Sequence, residues 1–202
     1  MGIPVLIELH YLPSIAYVKA IAGNAVLFEA HEHFIKQTYR NRCRIAGANG
    51  VLDLIVPVKK KSAKVPVKEL EIMYAEKWQH THFMAVHSAY RSSPYYDYFE
   101  DDIHRLFFTR HKYLLDYNLM WLEWVVKTLK TTLNHSFTTE YTVQAGEWVN
   151  DLRNTISPKI ETEFRHPRYT QVFEEKQGFI SNLSILDWIC NDLQGARSFY
   201  AS

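Results

Sequence analysis

Glycine and cysteine are both scarce in this sequence of 202 residues, which contains 7 glycines and 2 cysteines. The glycine-rich phosphate loops GxGxxG and GxxxxGKS/T are absent, as are the GxSxG and GxCxG turns that carry a nucleophile. Cys43 and Cys190 lie far apart and have no metal-binding spacing, so the sequence predicts a reduced, cytoplasmic environment. These absences argue against glycine-rich phosphate binding and against acyl-enzyme chemistry.

Long apolar runs and an excess of one charge are also missing. No 18 apolar residues follow one another, so no membrane-spanning helix is predicted. The formal net charge is +1, from 23 basic and 22 acidic side chains, and this balance does not by itself attract nucleic acid. We therefore expect neither a nucleic acid nor a membrane span, and the oligomeric state stays open.

Apolar segments alternate with polar ones in the first part of the chain, which is typical of an α/β protein. Residues 5–9 and 25–28 are predicted strands, and a helix capped by Ser14 and ending at Gly23 connects them. Such a βαβ unit makes the two strands parallel. An irregular segment is predicted at residues 31–45, followed by a third strand at 51–58. An exposed loop is predicted at 59–64 and an edge strand at 65–72.

Helical periodicity dominates the middle of the chain, from Trp78 to Leu133, with a stop at Pro94 and a break near His111. After this region, a short helix is predicted at residues 147–156 and a strand at 159–164. A capped final helix at 184–192 and a loose polar tail at 193–202 complete the prediction.

The predicted fold class is α/β, a small, partly parallel sheet of βαβ units with a helical subdomain. One domain is expected over residues 1–202. Its α/β part covers about residues 1–73 and 157–192, and its helical part about residues 74–156.

His10 and Ser14 form the first candidate site, because they stand where the first strand meets the first helix. A histidine there can act as a general base, and Ser14 with the first helical N–H groups can hold an anion. The alternative is a histidine that is hydrogen-bonded within a turn, followed by a serine that only caps the helix.

Two further segments combine basic, aromatic and amide side chains. Residues 36–44 suit a small phosphate-bearing ligand better than a nucleic acid, although an exposed basic face is the alternative. Residues 166–171 suit a polar ligand, and a surface turn is the alternative. The candidate residues in these two segments are Lys36, Tyr39, Asn41, Arg42, Arg44, His166, Tyr169 and Gln171.

The ten histidines include two His-x-His pairs, at His31 and His33 and at His80 and His82. Such a pair suits a metal when it lies on a strand, whereas on a helix the two rings point apart. No clear third ligand accompanies either pair. The sequence therefore predicts no metal site and identifies no cofactor.

Six short motifs in a fixed order, within residues 5–192, resemble those of the WbqC-like family. They are His10-Tyr11-Leu12-Pro13, Asn41-Arg42, Val56-Pro57-Val58-Lys59, Ser93-Pro94-Tyr95-Tyr96, His166-Pro167-Arg168-Tyr169-Thr170-Gln171 and Leu183-Ser184-Ile185-Leu186-Asp187. The resemblance implies a bacterial protein of surface-polysaccharide or O-antigen biosynthesis, with aminoacyl or acyl transfer to a nucleotide-activated amino sugar.

The resemblance also implies one composite site around a nucleotide sugar or an acyl donor. His10 and His166 would be its catalytic residues, and Arg42 would neutralise phosphate. Longer members carry a Leu-Ser-Gly-type motif that residues 141–164 lack, so a binding or assembly protein without turnover is the alternative. A metal-dependent hydrolase is a third hypothesis, which rests on the number of histidines alone.

Overall fold

The computed structural model describes residues 3–59, 65–160 and 164–201. Its strands form a parallel sheet in the order β5-β2-β1-β6 and an antiparallel pair of β3 with β4. The strands are β1 (Val5–Glu8), β2 (Ala25–Glu29), β3 (Arg42–Gly47), β4 (Gly50–Ile55), β5 (Asn134–Phe137) and β6 (Asn150–Asp151). The helices are α1 (Ile15–Ile21), α2 (Trp78–Tyr90), α3 (Tyr96–Phe108), α4 (Leu114–Leu129), α5 (Glu174–Gln177), α6 (Ile185–Asn191) and α7 (Leu193–Ala201). The α/β class with a helical part is confirmed.

The β1-α1-β2 unit forms as its sequence predicts. The side chain of Ser14 accepts a hydrogen bond from the backbone N–H of Tyr17 and so caps α1. Gly23 adopts a φ of +72° after the helix, a conformation that glycine reaches without strain. The strands pair in parallel with Val5 opposite Val26, which brings their carboxyl ends to one edge of the sheet.

Helix α4 separates two apolar cores. Leu115, Leu122 and Val126 pack with Val5 and Ile7 on one face of the parallel sheet. The other side of α4 packs in the larger cluster, which also contains buried residues of α2, α3, α6 and α7. No helix within the described ranges is long and apolar enough to cross a membrane.

The predictions for residues 31–72 were partly wrong. Strand β3 begins inside the segment 31–45 that was expected to be irregular and extends two residues beyond it, because its buried Cys43 and Ile45 alternate with less buried arginines. The expected edge strand at 65–72 contains a 3-10 helix, Val67–Glu69, and only isolated bridges. Of the expected loop at 59–64, residues 60–64 lie outside the described residues.

The predictions for the C-terminal part also need correction. Residues 147–156 contain strand β6 rather than a helix, because Asn150 and Leu152 donate backbone hydrogen bonds to the β1 side of the sheet. The tail expected to be loose forms α7, whose Leu193 and Tyr200 are buried in the core. The expected strand at 159–164 falls partly on residues 161–163, outside the described residues.

Candidate functional site

The carboxyl ends of β1 and β2 carry the same short pattern, Glu-x-His. It is Glu8-Leu9-His10 after β1 and Glu29-Ala30-His31 after β2, and Glu8 and Glu29 are register partners. Both glutamates are buried, with 1% and 0% of their surface exposed. Ligands of open α/β sheets bind outside the carboxyl ends of the strands, so this edge is the candidate site.

Arg40, in the segment that precedes β3, supplies a positive charge beside the buried carboxylates. It is fully buried, and its Nε and Nη2 donate 2.6 Å hydrogen bonds to the two carboxylate oxygens of Glu32. Its Nη1 lies 3.5 Å from Oε1 of Glu8. This bidentate geometry fixes the guanidinium beside the end of β1.

Arg153 supplies a second guanidinium from the turn after β6. Its Nη1 lies 3.2 Å from Glu29 Oε2, and its Nη2 lies 2.7 Å from Asp151 Oδ2. The neighbouring Asn154, with a φ of +61°, donates its N–H to Glu8 and accepts from Arg40 Nη2 at 2.9 Å. Asparagine tolerates this left-handed conformation, which allows one residue to bridge two members of the cluster.

His10 lies within this cluster and is itself fully buried. Its Nε2 is 3.2 Å from Glu8 Oε1, its ring stacks on Tyr17 at 4.2 Å, and Tyr39 lies 5.6 Å away. Within the part of the chain that the structure describes, His10 Nδ1 and Arg40 Nη1 have no hydrogen-bond partner. Buried polar atoms without partners are costly, so a hydrogen-bond partner at either atom would be stabilising.

The electrostatics make His10 neutral and Glu8 ionised at pH 7. Burial lowers the pKa of His10 below its ordinary value, although the hydrogen bond to Glu8 opposes this. Burial alone would raise the pKa of Glu8, but the hydrogen bond from His10, the charge that this ring carries once it is protonated at low pH, and the charge of Arg40 lower it to about 2. Since ionised Glu8 can only accept, the proton of the neutral ring belongs on Nε2, and Nδ1 carries a free lone pair. In Glu32, burial raises the pKa despite Arg40.

A small cavity of about 160 Å³ adjoins this cluster. It is lined by Tyr39 and Arg44 on one side and by Asn182 on the other. Arg44 lies 3.4 Å from Asp53 and donates to the carbonyl of Pro158 at 3.0 Å. Tyr39 therefore contacts both this cavity and the ring of buried His10.

The predicted residues near the C-terminus form a separate cluster. Tyr169 donates a 2.6 Å hydrogen bond to buried Asp187, and Gln171 donates to the same carboxylate at 3.0 Å. Tyr169 also lines an open cavity of about 640 Å³ with Arg168. The described hydrogen bonds and ring contacts of Tyr169 and Gln171 do not reach His10.

His166 has both ring nitrogens engaged. Nδ1 lies 2.9 Å from the carbonyl of Pro167, and Nε2 accepts from the backbone N–H of Asn182 at 3.2 Å. Burial lowers the pKa of His166, which leaves the ring neutral at pH 7. Its Nε2 bond connects it to Asn182, which lines the small cavity, but its ring offers no lone pair comparable to that of His10 Nδ1.

The other predicted residues have mainly local contacts. Ser14 caps α1, and the side chain of Asn41 donates to the carbonyl of Val56 at 2.9 Å. Arg42 lies 3.7 Å from Asp53, and Lys36 is exposed. None of these contacts joins the residues directly to His10.

Sequence reasoning missed most of the charged cluster. The missed residues are Glu8, Glu29, Glu32, Arg40, Arg153 and Asn154. One signal for two of them was present, because both apolar strands end in the same Glu-x-His pattern. Among the described residues, no group of three or more histidine, cysteine, aspartate or glutamate side chains is arranged to hold a metal ion.

Comparison with known protein families identifies the family of this chain. Residues 9–159 match the model of the WbqC-like protein family. The chain belongs to this family. The match includes His10, Arg40 and Arg153 of this WbqC-like protein and ends before His166. Neither the curated proteins nor the solved structures gave a match.

Proposed function

We propose that this WbqC-like protein transfers an acyl or aminoacyl group to the amine of a nucleotide-activated amino sugar. The observation that supports this most is the state of His10, a neutral histidine whose Nε2 is held by ionised Glu8 while Nδ1 has no described partner. A carboxylate that orients a histidine in this way prepares the opposite nitrogen to take up a proton.

The proposed reaction uses His10 as the general base. The amine nitrogen forms a bond to the acyl carbonyl carbon, and the bond between that carbon and the leaving group breaks. The amine proton passes to Nδ1 of His10 and from there to the departing leaving group. Arg40 Nη1, which lies 3.5 Å from the Glu8 carboxylate, is the donor that we assign to the developing oxyanion. We assign the base to His10 rather than to His166, because both nitrogens of His166 are engaged.

The anionic part of the nucleotide sugar is proposed to bind at the small cavity beside Tyr39. Arg44 lines this cavity, and Arg42 lies two residues earlier on the same strand. Both pair with Asp53 at 3.4–3.7 Å in a partly exposed position, and such pairs contribute little stability. A phosphate can therefore replace Asp53 as the partner of these arginines.

Product formation in the His10→Gln variant tests this function. Glutamine keeps an N–H donor for Glu8 but removes the base, so we expect the transfer rate to fall by about 10²–10⁴-fold. The assay detects the acylated nucleotide sugar by mass spectrometry, and His80→Gln, at an exposed histidine of α2, is the matched control. Transfer at the wild-type rate by His10→Gln would contradict the assignment.

A binding or assembly protein without turnover is the second candidate. The complete burial of His10 favours it, as does the missing Leu-Ser-Gly-type motif in residues 141–164. This alternative predicts saturable binding of a nucleotide sugar with no product, in wild type and His10→Gln alike. We further propose a cytoplasmic role in surface-polysaccharide biosynthesis, a location that the free cysteines Cys43 and Cys190 support.

A further inference from the structure

A cavity of about 310 Å³, with a mainly apolar lining that also includes Glu140 and three threonines, lies on the second face of the parallel sheet. Its floor contains Leu6 and Leu27, which are register partners on β1 and β2. Val5 and Ile7 point to the opposite face, where α4 covers them. The segment between β5 and β6 lines one side of this partly open cavity with Ala145, Trp148 and Val149.

The geometry of the strands places this cavity next to the charged cluster. Side chains two positions apart on a strand share a face, so Glu8 follows Leu6 and Glu29 follows Leu27. Two residues advance a strand by about 6.6 Å. Thr138 connects the two regions directly, because it lines the cavity and its Oγ1 donates to Glu29 Oε1 at 2.9 Å.

Arg153 provides a second connection. It pairs with Glu29 in the cluster and donates a 2.8 Å hydrogen bond to the carbonyl of Thr142, a residue that lines the cavity. Its guanidinium also lies 5.3 Å from the ring of Tyr141. The same side chain therefore holds both the wall of the cavity and the carboxyl edge of the sheet.

We propose that this cavity binds the hydrocarbon part of the acyl group that is transferred. A chain that lies on Leu6 and Leu27 brings its carbonyl to the level of Glu8 and Glu29, beside His10. The ligand class is a neutral acyl derivative, because the acyl group to be transferred is bonded to its leaving group and carries no free carboxylate. The inference rests on the proposed function, but it concerns binding and can be tested without turnover.

Trp148 reports on the occupant of this cavity. It is 63% exposed, whereas the other four tryptophans are buried. Its ring packs against Gly146, where an added Cβ would lie 2.5 Å from the indole. Acrylamide should therefore quench mainly the fluorescence of Trp148, and a ligand in the cavity should reduce this quenching.

The test titrates the full-length protein with neutral primary amides: acetamide, butanamide, hexanamide and octanamide. Burying one methylene contributes about 0.8 kcal/mol, so we expect affinity to increase about fourfold per added methylene until the cavity is full. The Trp148→Phe variant should lose the protection signal. An affinity that does not depend on chain length would overturn the proposal.

Matched variants of the segment between β5 and β6 locate the binding site. Ala145→Leu adds volume inside the cavity and should weaken hexanamide binding by about tenfold or more. Val143→Leu is the control, because Val143 is 80% exposed and lies outside the cavity lining. Equal affinity of Ala145→Leu and Val143→Leu would show that the amides bind elsewhere.

The outcomes separate this inference from the proposed function. His80→Gln, the control of the transfer assay, should bind hexanamide like the wild type, because His80 lies outside the cavity lining. Amide binding that depends on chain length, together with an absence of transfer, would retain the cavity and reject the transferase. Transfer without any such dependence would retain the transferase and reject the cavity as its acyl site.

Discussion

Replacement of Arg40 by methionine tests whether the buried charges hold the candidate site together. The guanidinium of Arg40 makes two hydrogen bonds of 2.6 Å to Glu32 and one of 2.9 Å to Asn154. The variant removes these bonds and leaves the Glu32 carboxylate buried without its compensating charge. Breaking a buried ion pair costs about 3–5 kcal/mol, so we expect the free energy of unfolding at pH 7 to fall by this amount.

Urea unfolding followed by circular dichroism measures this loss, and a second variant separates the charge from the shape. Arg40→Met combined with Glu32→Leu removes both members of this pair but leaves Glu8 without the charge of Arg40, so we expect it to be more stable than Arg40→Met and less stable than the wild type. The difference between the double variant and the sum of the two single variants gives the coupling energy of the pair.

Arg105→Met is the matched control. Arg105 pairs with Asp102 at 2.6 Å, the same distance as Arg40 with Glu32, but both side chains are about half exposed or more. An exposed pair contributes at most about 1 kcal/mol. The reasoning is refuted if Arg40→Met costs no more than Arg105→Met, or if the double variant is as unstable as the sum of its parts.

Three further predictions concern pH, a buried hydrogen bond and the thiols. The pKa of Glu8 falls from 4.5 to about 2 on folding. We therefore expect ionised Glu8 to add about 3 kcal/mol to the free energy of unfolding above pH 4.5, and this contribution to be lost as the pH falls toward 2. Urea unfolding should show that the free energy of unfolding decreases less on acidification in Glu8→Gln than in the wild type. Identical pH profiles of the two proteins would contradict this. Tyr169→Phe removes a bond to buried Asp187 and should cost about 1–3 kcal/mol in thermal unfolding; an unchanged Tm would argue against it. Burial raises the pKa of Cys43 and Cys190, so Ellman's reagent should label them only after unfolding, and rapid labelling of the native protein would contradict their burial.

The parts of the fold that could be predicted are those whose pattern of apolar and capping residues is contained in one short stretch of sequence. The strands of the βαβ unit are short apolar runs, and Ser14 marks the helix between them. Strands β5 and β6 had no such signal, because they are short and largely polar. They exist through hydrogen bonds to β2 and β1, whose residues are more than a hundred positions away in the sequence.

The candidate site was predictable only in part for a similar reason. His10 stands beside a recognisable strand end, so its position at the carboxyl edge followed from the βαβ unit. Arg40 and Arg153 come from irregular segments, and their roles depend on tertiary contacts: Arg40 contacts Glu8, and Arg153 contacts Glu29. Helix α7 differs, since Leu193, Ala196 and Tyr200 already show helical spacing of apolar residues.

The ¹⁵N chemical shifts of the His10 ring test the central assignment most directly, with His10→Gln used to assign the signals. At pH 7 without ligand, we expect a protonated Nε2 and an unprotonated Nδ1, because Glu8 accepts the Nε2 proton. A nucleoside diphosphate amino sugar should shift the Nδ1 signal as its amine approaches. A charged ring, an Nδ1–H tautomer, or an Nδ1 signal that does not respond to this ligand would contradict the role of His10 as the base.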